Sequence, residues 1–169
     1  RKDVKIVADV IEPAILNLES HFEAKGIRLA RKWEGDFEVE CAPDLMQIVM
    51  TNLLSNAVKY GNPHSEVRLT IVRNTTKIRI EVWNAGPGFE EKDRSRLFRK
   101  FSRVPSPELM KQKGTGIGLY TTWRIVQTHR GKIRAISEPG KWAEFILEIP
   151  QPIPDTTRPS RGQGQANGR

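Results

Sequence analysis

Apolar residues recur at three- and four-residue steps in three stretches of the chain, which predicts three amphipathic helices. The first begins near residue 8 and ends before Gly26, a residue typical of helix ends. The second runs from Pro43 to Tyr60. The third covers about residues 117–129. Each helix has one apolar face, which we expect to be buried against another layer of structure.

Alternating apolar and polar residues predict the strands of that second layer. The predicted strands cover residues 27–32, 36–40, 67–71 and 78–82, and about 132–137 and 142–149. The first two are predicted to form a hairpin around residues 34–36, and the next two a central hairpin around residues 74–76. Helices and hairpins in this order fit an α+β or mixed α/β sandwich, in which helices cover one face of one sheet.

Length and composition fit one globular domain followed by a tail. The chain has 169 residues, of which 37% are apolar and 28% are charged, and this is too apolar for a disordered chain. From residue 151 onward Pro, Gly, Gln, Ser and Arg dominate, so we expect a domain over residues 1–150 and a disordered tail over 151–169. Cys41 is the only cysteine, which excludes an intrachain disulfide and favours a reducing, cytoplasmic compartment. No apolar run is long enough to span a membrane.

The chain is basic, with 28 Lys and Arg against 20 Asp and Glu and a net charge of +8. Such a surface suits nucleic acid, an anionic membrane or a phosphorylated ligand, and charge alone does not choose among them. Half of the excess lies in residues 89–118, where eight basic residues stand against four acidic ones. That segment has no clear periodicity, which is typical of a lid, a binding loop or disorder.

Three polar residues of the second predicted helix share one face. Asn52, Asn56 and Lys59 are spaced i, i+4 and i+7, so they lie within about 60° of one another around the helix axis. Two carboxamides and an ammonium group beside apolar neighbours fit a ligand site. An ordinary solvated stripe explains the same spacing.

Two glycine-rich segments flank the basic stretch. Residues 84–88, Asn-Ala-Gly-Pro-Gly, directly follow a predicted strand and fit either a turn or a close approach to a ligand. Residues 114–119, Gly-Thr-Gly-Ile-Gly-Leu, precede a predicted helix, where free N–H groups favour an anion. This second segment is not a P-loop, because no Gly-Lys-Ser/Thr follows, and Leu119 stands where a dinucleotide fingerprint needs its third glycine.

Four motifs occur in the order found in one family. Residues 52–60, 84–88, 97–101 (Leu-Phe-Arg-Lys-Phe) and 114–119 resemble the N, G1, F and G2 boxes of the ATP-binding domain of sensor histidine kinases. The resemblance covers roughly residues 3–150. It implies the Bergerat ATP-binding fold, a two-layer α/β sandwich with a mixed sheet backed by helices. It also implies a flexible lid over ATP, here about residues 89–113.

The resemblance also implies roles for single residues. Asn56 would ligate Mg²⁺, Lys59 would meet the phosphates and Tyr60 would pack against the nucleotide. Asn52 would help to hold the metal shell or the phosphates. Gyrase-like, Hsp90-like and MutL-like ATPases have Glu at that position, and an amide cannot replace a carboxylate as the base that activates water.

The remaining implied contacts come from the glycine motifs and the lid. Asn84 would accept the adenine amino hydrogen in place of the family's usual Asp, and Arg103 is a candidate for the γ-phosphate and for a catalytic role. The other residues implied to bind the nucleotide are Gly86, Gly88, Phe101, Gly114, Thr115, Gly116, Ile117, Gly118 and Leu119.

None of the three histidines fits the family's phosphoacceptor motif, so His21, His64 and His129 are predicted to be surface or helix-end residues. The resemblance therefore implies a histidine-containing dimerisation domain elsewhere in the same full-length protein. It further implies a homodimeric full-length protein, a monomeric isolated chain, a downstream response regulator and no nucleic acid partner. Membrane anchoring of the full-length protein stays open, with this domain on the cytoplasmic side. The alternative function is a nucleotide-sensing or interaction module that kept the fold and lost catalysis, with Asn84 as its first sign.

Overall fold

A computed structural model describes residues 1–99 and 118–152, which form a sheet covered on one face by helices. Three α-helices lie within these residues: α1 (Glu12–Lys25), α2 (Pro43–Tyr60) and α3 (Gly118–Thr128). A π-helical segment, Val7–Ile11, leads directly into α1. The strands are β1 (Lys2–Lys5), β2 (Arg28–Lys32), β3 (Glu38–Cys41), β4 (Glu66–Arg73), β5 (Lys77–Ala85), β6 (Lys132–Glu138) and β7 (Trp142–Pro150).

The main sheet has five strands in the order β2-β4-β5-β7-β6. Strand β2 pairs in parallel with β4, and the other neighbours are antiparallel, so the sheet is mixed as predicted. The predicted β4–β5 hairpin is confirmed, and β5 is the central strand. Every second residue of β5 is buried, because one face of the sheet packs against the helices and the other does not.

The predicted hairpin over residues 27–40 is wrong. Strand β2 belongs to the main sheet, whereas β3 pairs antiparallel with β1 in a separate two-stranded sheet. Asp36 does not serve a tight turn between them, because its carboxylate accepts hydrogen bonds from the N–H groups of Val7 (2.8 Å) and Ala8 (3.1 Å). It thereby caps the helical segment that leads into α1.

The capping interaction changes the acidity of Asp36. Burial alone would raise the pKa of this carboxyl group. Hydrogen bonds from the backbone N–H groups of Val7, Ala8 and Phe37, together with the charge of Lys5, hold the pKa below its ordinary value.

The core lies between the helices and the inner face of the sheet. Its most deeply buried large side chains include Met46 and Leu53 of α2 and Ile80 of β5. Cys41 is completely buried, and burial raises the pKa of its thiol to about 11, so it acts as a small apolar residue as predicted. On the outer face, the guanidinium of Arg68 lies 4.0 Å from the centre of the Trp83 ring.

His129 was expected at the surface or at a helix end, and it follows α3 but is only 1% exposed. Its Nδ1 donates to the carbonyl oxygen of Ile125 at 2.8 Å, and its Nε2 accepts the N–H of Ala42 at 3.0 Å. Ala42 directly precedes α2. His129 therefore links the end of α3 to the start of α2 inside the core. His21 and His64 are exposed.

Parts of the predicted lid and tail lie outside the described residues, namely 100–113 and 153–169. The described start of the lid contains a 3₁₀ helix, Glu91–Arg96. After it, the ring of Phe98 meets that of Phe145 edge-on, with the ring centres 6.0 Å apart, so Phe98 anchors the base of the segment to the sheet. Among the helices of the described ranges, none is both long and apolar enough to cross a bilayer.

Candidate nucleotide site

Helix α2 carries the four polar and aromatic residues of the first motif. Its other face packs into the core through residues such as Leu53, Leu54 and Ala57, while Asn52 and Asn56 stay half-buried at the edge of that packing. Lys59 and Tyr60 are also half-buried, and the Lys59 Nζ lies 5.4 Å from the centre of the Tyr60 ring. Because the helix is continuous, the predicted shared face of Asn52, Asn56 and Lys59 is confirmed. It extends over about 10 Å at 1.5 Å per residue.

The Asn52 end of this face contacts the end of the second glycine-rich segment. The side-chain Nδ2 of Asn52 donates to the carbonyl oxygen of Gly118 at 3.2 Å and to Thr122 Oγ1 at 3.4 Å. A Cβ atom on Gly118 would lie 3.8 Å from Asn52 Cγ, which is ordinary contact. The motif residues 52 and 118 are therefore in direct contact, although they are 66 positions apart. Thr122, fully buried, is a contact that the sequence analysis missed.

The Tyr60 end contacts the turn after β5. The N–H of Asn62 donates to the carbonyl oxygen of Ala85 at 2.9 Å, and a Cβ atom on Gly86 would lie only 2.5 Å from the carbonyl oxygen of Tyr60. Asn84 is buried with 4% exposure, and its Nδ2 donates to the carbonyl oxygen of Ala85 at 3.2 Å. Glycine is required at position 86 because two stretches of backbone touch there.

Gly88 has a different reason to be glycine. Its φ of +63° lies in the left-handed region, and a Cβ atom there would lie 2.2 Å from Ser137 Oγ and 2.7 Å from the carbonyl oxygen of Trp142. The N–H of Phe89 donates to the same Ser137 hydroxyl at 3.0 Å. Gly88 therefore lets the turn pack closely against β6 and β7. Of the two explanations given for this glycine, a turn or a close approach to a ligand, the structure supports the turn.

A lysine outside the predicted site holds the end of α2. The Nζ of Lys25 donates to the carbonyl oxygens of Val58 and Lys59, at 2.8 Å each. These are among the last carbonyls of the helix, which have no partner within it. Burial lowers the pKa of Lys25. Nothing in the sequence motif pointed to this residue, because the contact crosses 33 positions.

Several predicted site residues lie outside the described ranges, namely Phe101, Arg103, Gly114, Thr115, Gly116 and Ile117. Leu119 is described, and it packs half-buried against the core at the first turn of α3. Within the described ranges, the structure thus brings together residues 52–60 with Gly118 at one end and Gly86 at the other. Asn84 lies two residues before that second contact.

The side-chain oxygen atoms of the candidate site can be compared with the ligands that Mg²⁺ prefers. No group of three or more His, Cys, Asp or Glu side chains is arranged to hold a metal in the part of the chain that the structure describes. The oxygen ligands on the shared face are the neutral side-chain amides of Asn52 and Asn56, and the resemblance assigns the ion to Asn56. Mg²⁺ keeps several waters and takes most of its charged ligands from phosphates, so one amide oxygen fits an ion that arrives with a nucleotide.

Comparison with known proteins identifies the family. A family model described as histidine kinase-, DNA gyrase B- and HSP90-like ATPase matches residues 41–153. The adaptive-response sensory kinase SasA of Prochlorococcus marinus is 32% identical over 146 residues, which cover 85% of this chain and 38% of that protein. The sensor protein SrrB of Staphylococcus aureus is 27% identical over 157 residues, which cover 89% of this chain and 26% of SrrB. The chain thus spans well under half of the length of these relatives.

Solved structures agree with this result. The nucleotide-free catalytic domain of histidine kinase ThkA matches with a TM-score of 0.76 and 25% identity, covering 89% of this chain and 99% of that one. ThkA in complex with the response regulator protein TrrA matches with a TM-score of 0.74 and 23% identity, covering 89% of this chain and 42% of ThkA, which supports the fold. On the family model, which matches more than half of the chain, and on the mixed sheet backed by helices, this chain belongs to the histidine kinase-, DNA gyrase B- and HSP90-like ATPase family, with the Bergerat fold.

Proposed function

We propose that this chain is the ATP-binding catalytic domain of a sensor histidine kinase, which transfers the γ-phosphoryl group of ATP to a histidine on a separate dimerisation domain. The observation that carries the proposal is the meeting of three distant segments around one face of α2. Gly118 meets Asn52 at one end of that face, and Gly86 meets Tyr60 at the other. Family membership supports ATP as the ligand.

Each end of the face has a role in the proposal. Asn84, buried at the end of β5, binds the adenine edge, since an Asn side chain can accept from the amino group and donate to a ring nitrogen. Tyr60 packs against the nucleoside, and Lys59 neutralises phosphate charge. Arg103, from the lid, is proposed to act on the γ-phosphate.

The Asn56 amide is proposed to hold Mg²⁺ together with the phosphates, and the ion would neutralise charge on the transferring group. Asn52, bonded to Gly118, presents an amide where related ATPases have a carboxylate. An amide cannot take a proton from water, so hydrolysis has no base at this position. A kinase needs ATP to persist until the acceptor histidine arrives.

The acceptor histidine is proposed to lie on another domain of the full-length protein, which we expect to be a homodimer. Within this chain His21 and His64 lack the acceptor motif, and His129 is buried with both ring nitrogens engaged. A response regulator is proposed as the downstream partner, a proposal supported by the structure of ThkA in complex with the response regulator protein TrrA. The domain is proposed to work on the cytoplasmic side, whether or not the full-length protein is anchored.

Calorimetric titration of the chain with ATP, in Mg²⁺ and then in EDTA, tests the binding step. We expect saturable binding that is stronger with Mg²⁺. Asn56→Ala should remove the Mg²⁺-dependent part. The matched control is Asn17→Ala, an exposed asparagine of α1, which should bind like the unmodified chain. Absence of saturable binding by the unmodified chain would refute the proposal.

Transfer is tested separately, with radiolabelled ATP and the histidine-containing domain of the same protein. Acid-labile label on that domain is the expected result. Arg103→Ala should reduce transfer more than ATP binding. Tight ATP binding with no transfer to the acceptor domain would instead support the nucleotide-sensing module that has lost catalysis.

A further inference from the structure

Lys25 joins the end of α1 to two other parts of the chain, the last turn of α2 and the loop that follows it. Its ammonium group donates to the carbonyl oxygens of Val58 and Lys59, both at 2.8 Å. Its own carbonyl oxygen accepts the N–H of His64 at 3.0 Å, in the loop that leads from α2 to β4. The last residue of α1 is thus bonded to the last turn of α2 and to the loop that follows.

The position of Lys25 is fixed by the end of α1. Gly26 follows in the left-handed conformation, with a φ of +66°, and the N–H of Ile27 donates to the carbonyl oxygen of Phe22. A Cβ atom on Gly26 would lie 2.5 Å from Nδ1 of His64, so α1 and the loop are in close contact. This packing places the backbone of Lys25 next to the end of α2, independently of the hydrogen bonds that its side chain makes.

The chemistry of the contact favours a charged donor. The carbonyls of Val58 and Lys59 lie at the negative end of the α2 dipole, which an ammonium group stabilises. Hydrogen bonds with an ionised donor are stronger than neutral ones. The lysine is partly buried, which lowers its pKa, and the two short bonds hold the ammonium in place.

The held turn is the one that carries nucleotide-contacting residues in the proposed function. Val58 and Lys59 are the residues directly before Tyr60, whose carbonyl oxygen meets the turn after β5. If the last turn of α2 frays, the backbone that carries the Lys59 and Tyr60 side chains is no longer held in one position. The contact with Gly86 then loses its partner as well.

We propose that Lys25 is a positioning residue of the nucleotide site, which rests on the proposed function above. By bonding the last carbonyls of α2 it fixes Lys59 and Tyr60 in the orientation that binds the nucleoside and inner phosphates of ATP. Lys25 does not itself touch the nucleotide. Its effect on binding is therefore indirect and common to nucleotides that share those groups.

The test compares Lys25→Met, which keeps most of the unbranched side chain but removes the ammonium group, with Lys25→Arg, which keeps the charge. The matched control is Lys32→Met, which removes the same charge from an exposed lysine of β2. Dissociation constants for Mg-ATP and Mg-ADP are measured at 20 °C, after circular dichroism has shown that each variant is folded. Thermal unfolding is measured in parallel.

We expect Lys25→Met to weaken Mg-ATP and Mg-ADP by the same factor, roughly three- to tenfold. Lys25→Arg should recover most of this loss, and Lys32→Met should bind normally. If Lys25→Met does not fold, Lys25→Gln is measured instead and should show the same equal loss for both nucleotides.

A lowered unfolding temperature with unchanged dissociation constants would make Lys25 a structural residue only and would overturn the proposal. A loss confined to ATP would also overturn it, because the effect would then act at the γ-phosphate. If the unmodified chain binds neither nucleotide, the proposed function itself fails. If it binds both and Lys25→Met binds equally well, the positioning role alone fails.

Discussion

Replacement of Gly86 by Ala should weaken both the fold and nucleotide binding, through one identified contact. The added Cβ would lie 2.5 Å from the carbonyl oxygen of Tyr60 and 3.1 Å from Nδ2 of Asn84. Favourable carbon contacts lie at about 3.5–4.0 Å, so the turn after β5 and the end of α2 must separate by roughly 1 Å. The oxygen cannot move aside alone, because it belongs to helical backbone whose neighbouring carbonyls are held by Lys25.

The size of the effect follows from that separation. Forcing an extra methyl group into a packed contact costs about 1–3 kcal/mol of unfolding free energy. In a domain of this length each kcal/mol lowers the unfolding temperature by about 2–4 °C. The same separation moves Asn84 away from Tyr60, so we expect ATP affinity to fall by about tenfold, which corresponds to about 1.4 kcal/mol.

Gly118→Ala is the matched control for stability. Its Cβ would lie 3.8 Å from Asn52 Cγ, with no closer neighbour within residues 1–99 and 118–152, and alanine is favoured over glycine in a helix by about 1 kcal/mol. Thermal unfolding of both variants, with ATP titration of Gly86→Ala at 20 °C, is the assay. Unchanged unfolding and affinity for Gly86→Ala, or equal destabilisation by Gly118→Ala, would show that the contact is not limiting.

Two further predictions concern carboxyl groups. Asp36→Ala should lower the unfolding free energy by about 1 kcal/mol at neutral pH, since it removes a helix cap. Because the folded-state pKa of Asp36 is lowered, this stabilisation is present above the ordinary value of 3.8 and is lost as the pH falls through the lower folded-state pKa. Denaturation curves of variant and parent should therefore converge as the pH falls below 3.8, and a constant difference would contradict the capping role. For Glu144, burial and then the nearby Glu81 raise the pKa, so ionisation opposes folding above its ordinary value of 4.5. Glu144→Gln should therefore be more stable than the parent at pH 7, by a few tenths of a kcal/mol because the group is partly exposed, and should unfold at a higher denaturant concentration. This gain in stability should vanish below about pH 4. A gain that persists in acid would point to another cause.

The long elements were predictable because several local signals agreed. Helix α2 has proline at its first position, an apolar stripe over five turns and a glycine directly after it, and its observed bounds are Pro43–Tyr60. The β4–β5 hairpin has strict alternation on both sides of a turn in which the Asn74 side chain accepts backbone N–H groups of Thr76 and Lys77. These signals come from residues close in sequence.

Pairing between distant strands was not predictable in the same way. Alternation in residues 27–40 correctly indicated two strands, but it carries no information on their neighbours. The polar residues between them look like a turn, whereas Asp36 is held 29 residues away at Val7. Strand β1 has four residues, which is too short for any periodicity to indicate it.

The candidate site shows the same difference between features set by nearby residues, which were predictable, and contacts between distant residues, which were not. The shared face of Asn52, Asn56 and Lys59 follows from helix geometry alone and is confirmed. Lys25 and Thr122 were missed, because a lysine at a helix end and a threonine within a helix are ordinary residues until the fold brings partners to them. His129 lies at the end of α3, one of the two predicted positions, but its burial was not foreseen, since its partner Ala42 lies 87 positions away.

The two ends of the shared face of α2 are held by different kinds of contact, which bears on how one fold serves different reactions. At the Tyr60 end the contact is between backbone groups of Tyr60 and Gly86, so position 86 cannot accept a larger side chain without disturbing the fold. At the Asn52 end the contact is made by a side-chain amide to Gly118. A carboxylate at this position could act as a base for water, but it could not donate the hydrogen bond that the amide gives to the carbonyl oxygen of Gly118. A change at position 52 would therefore alter both the available base and the contact with α3, whereas the backbone contact between Tyr60 and Gly86 would be kept.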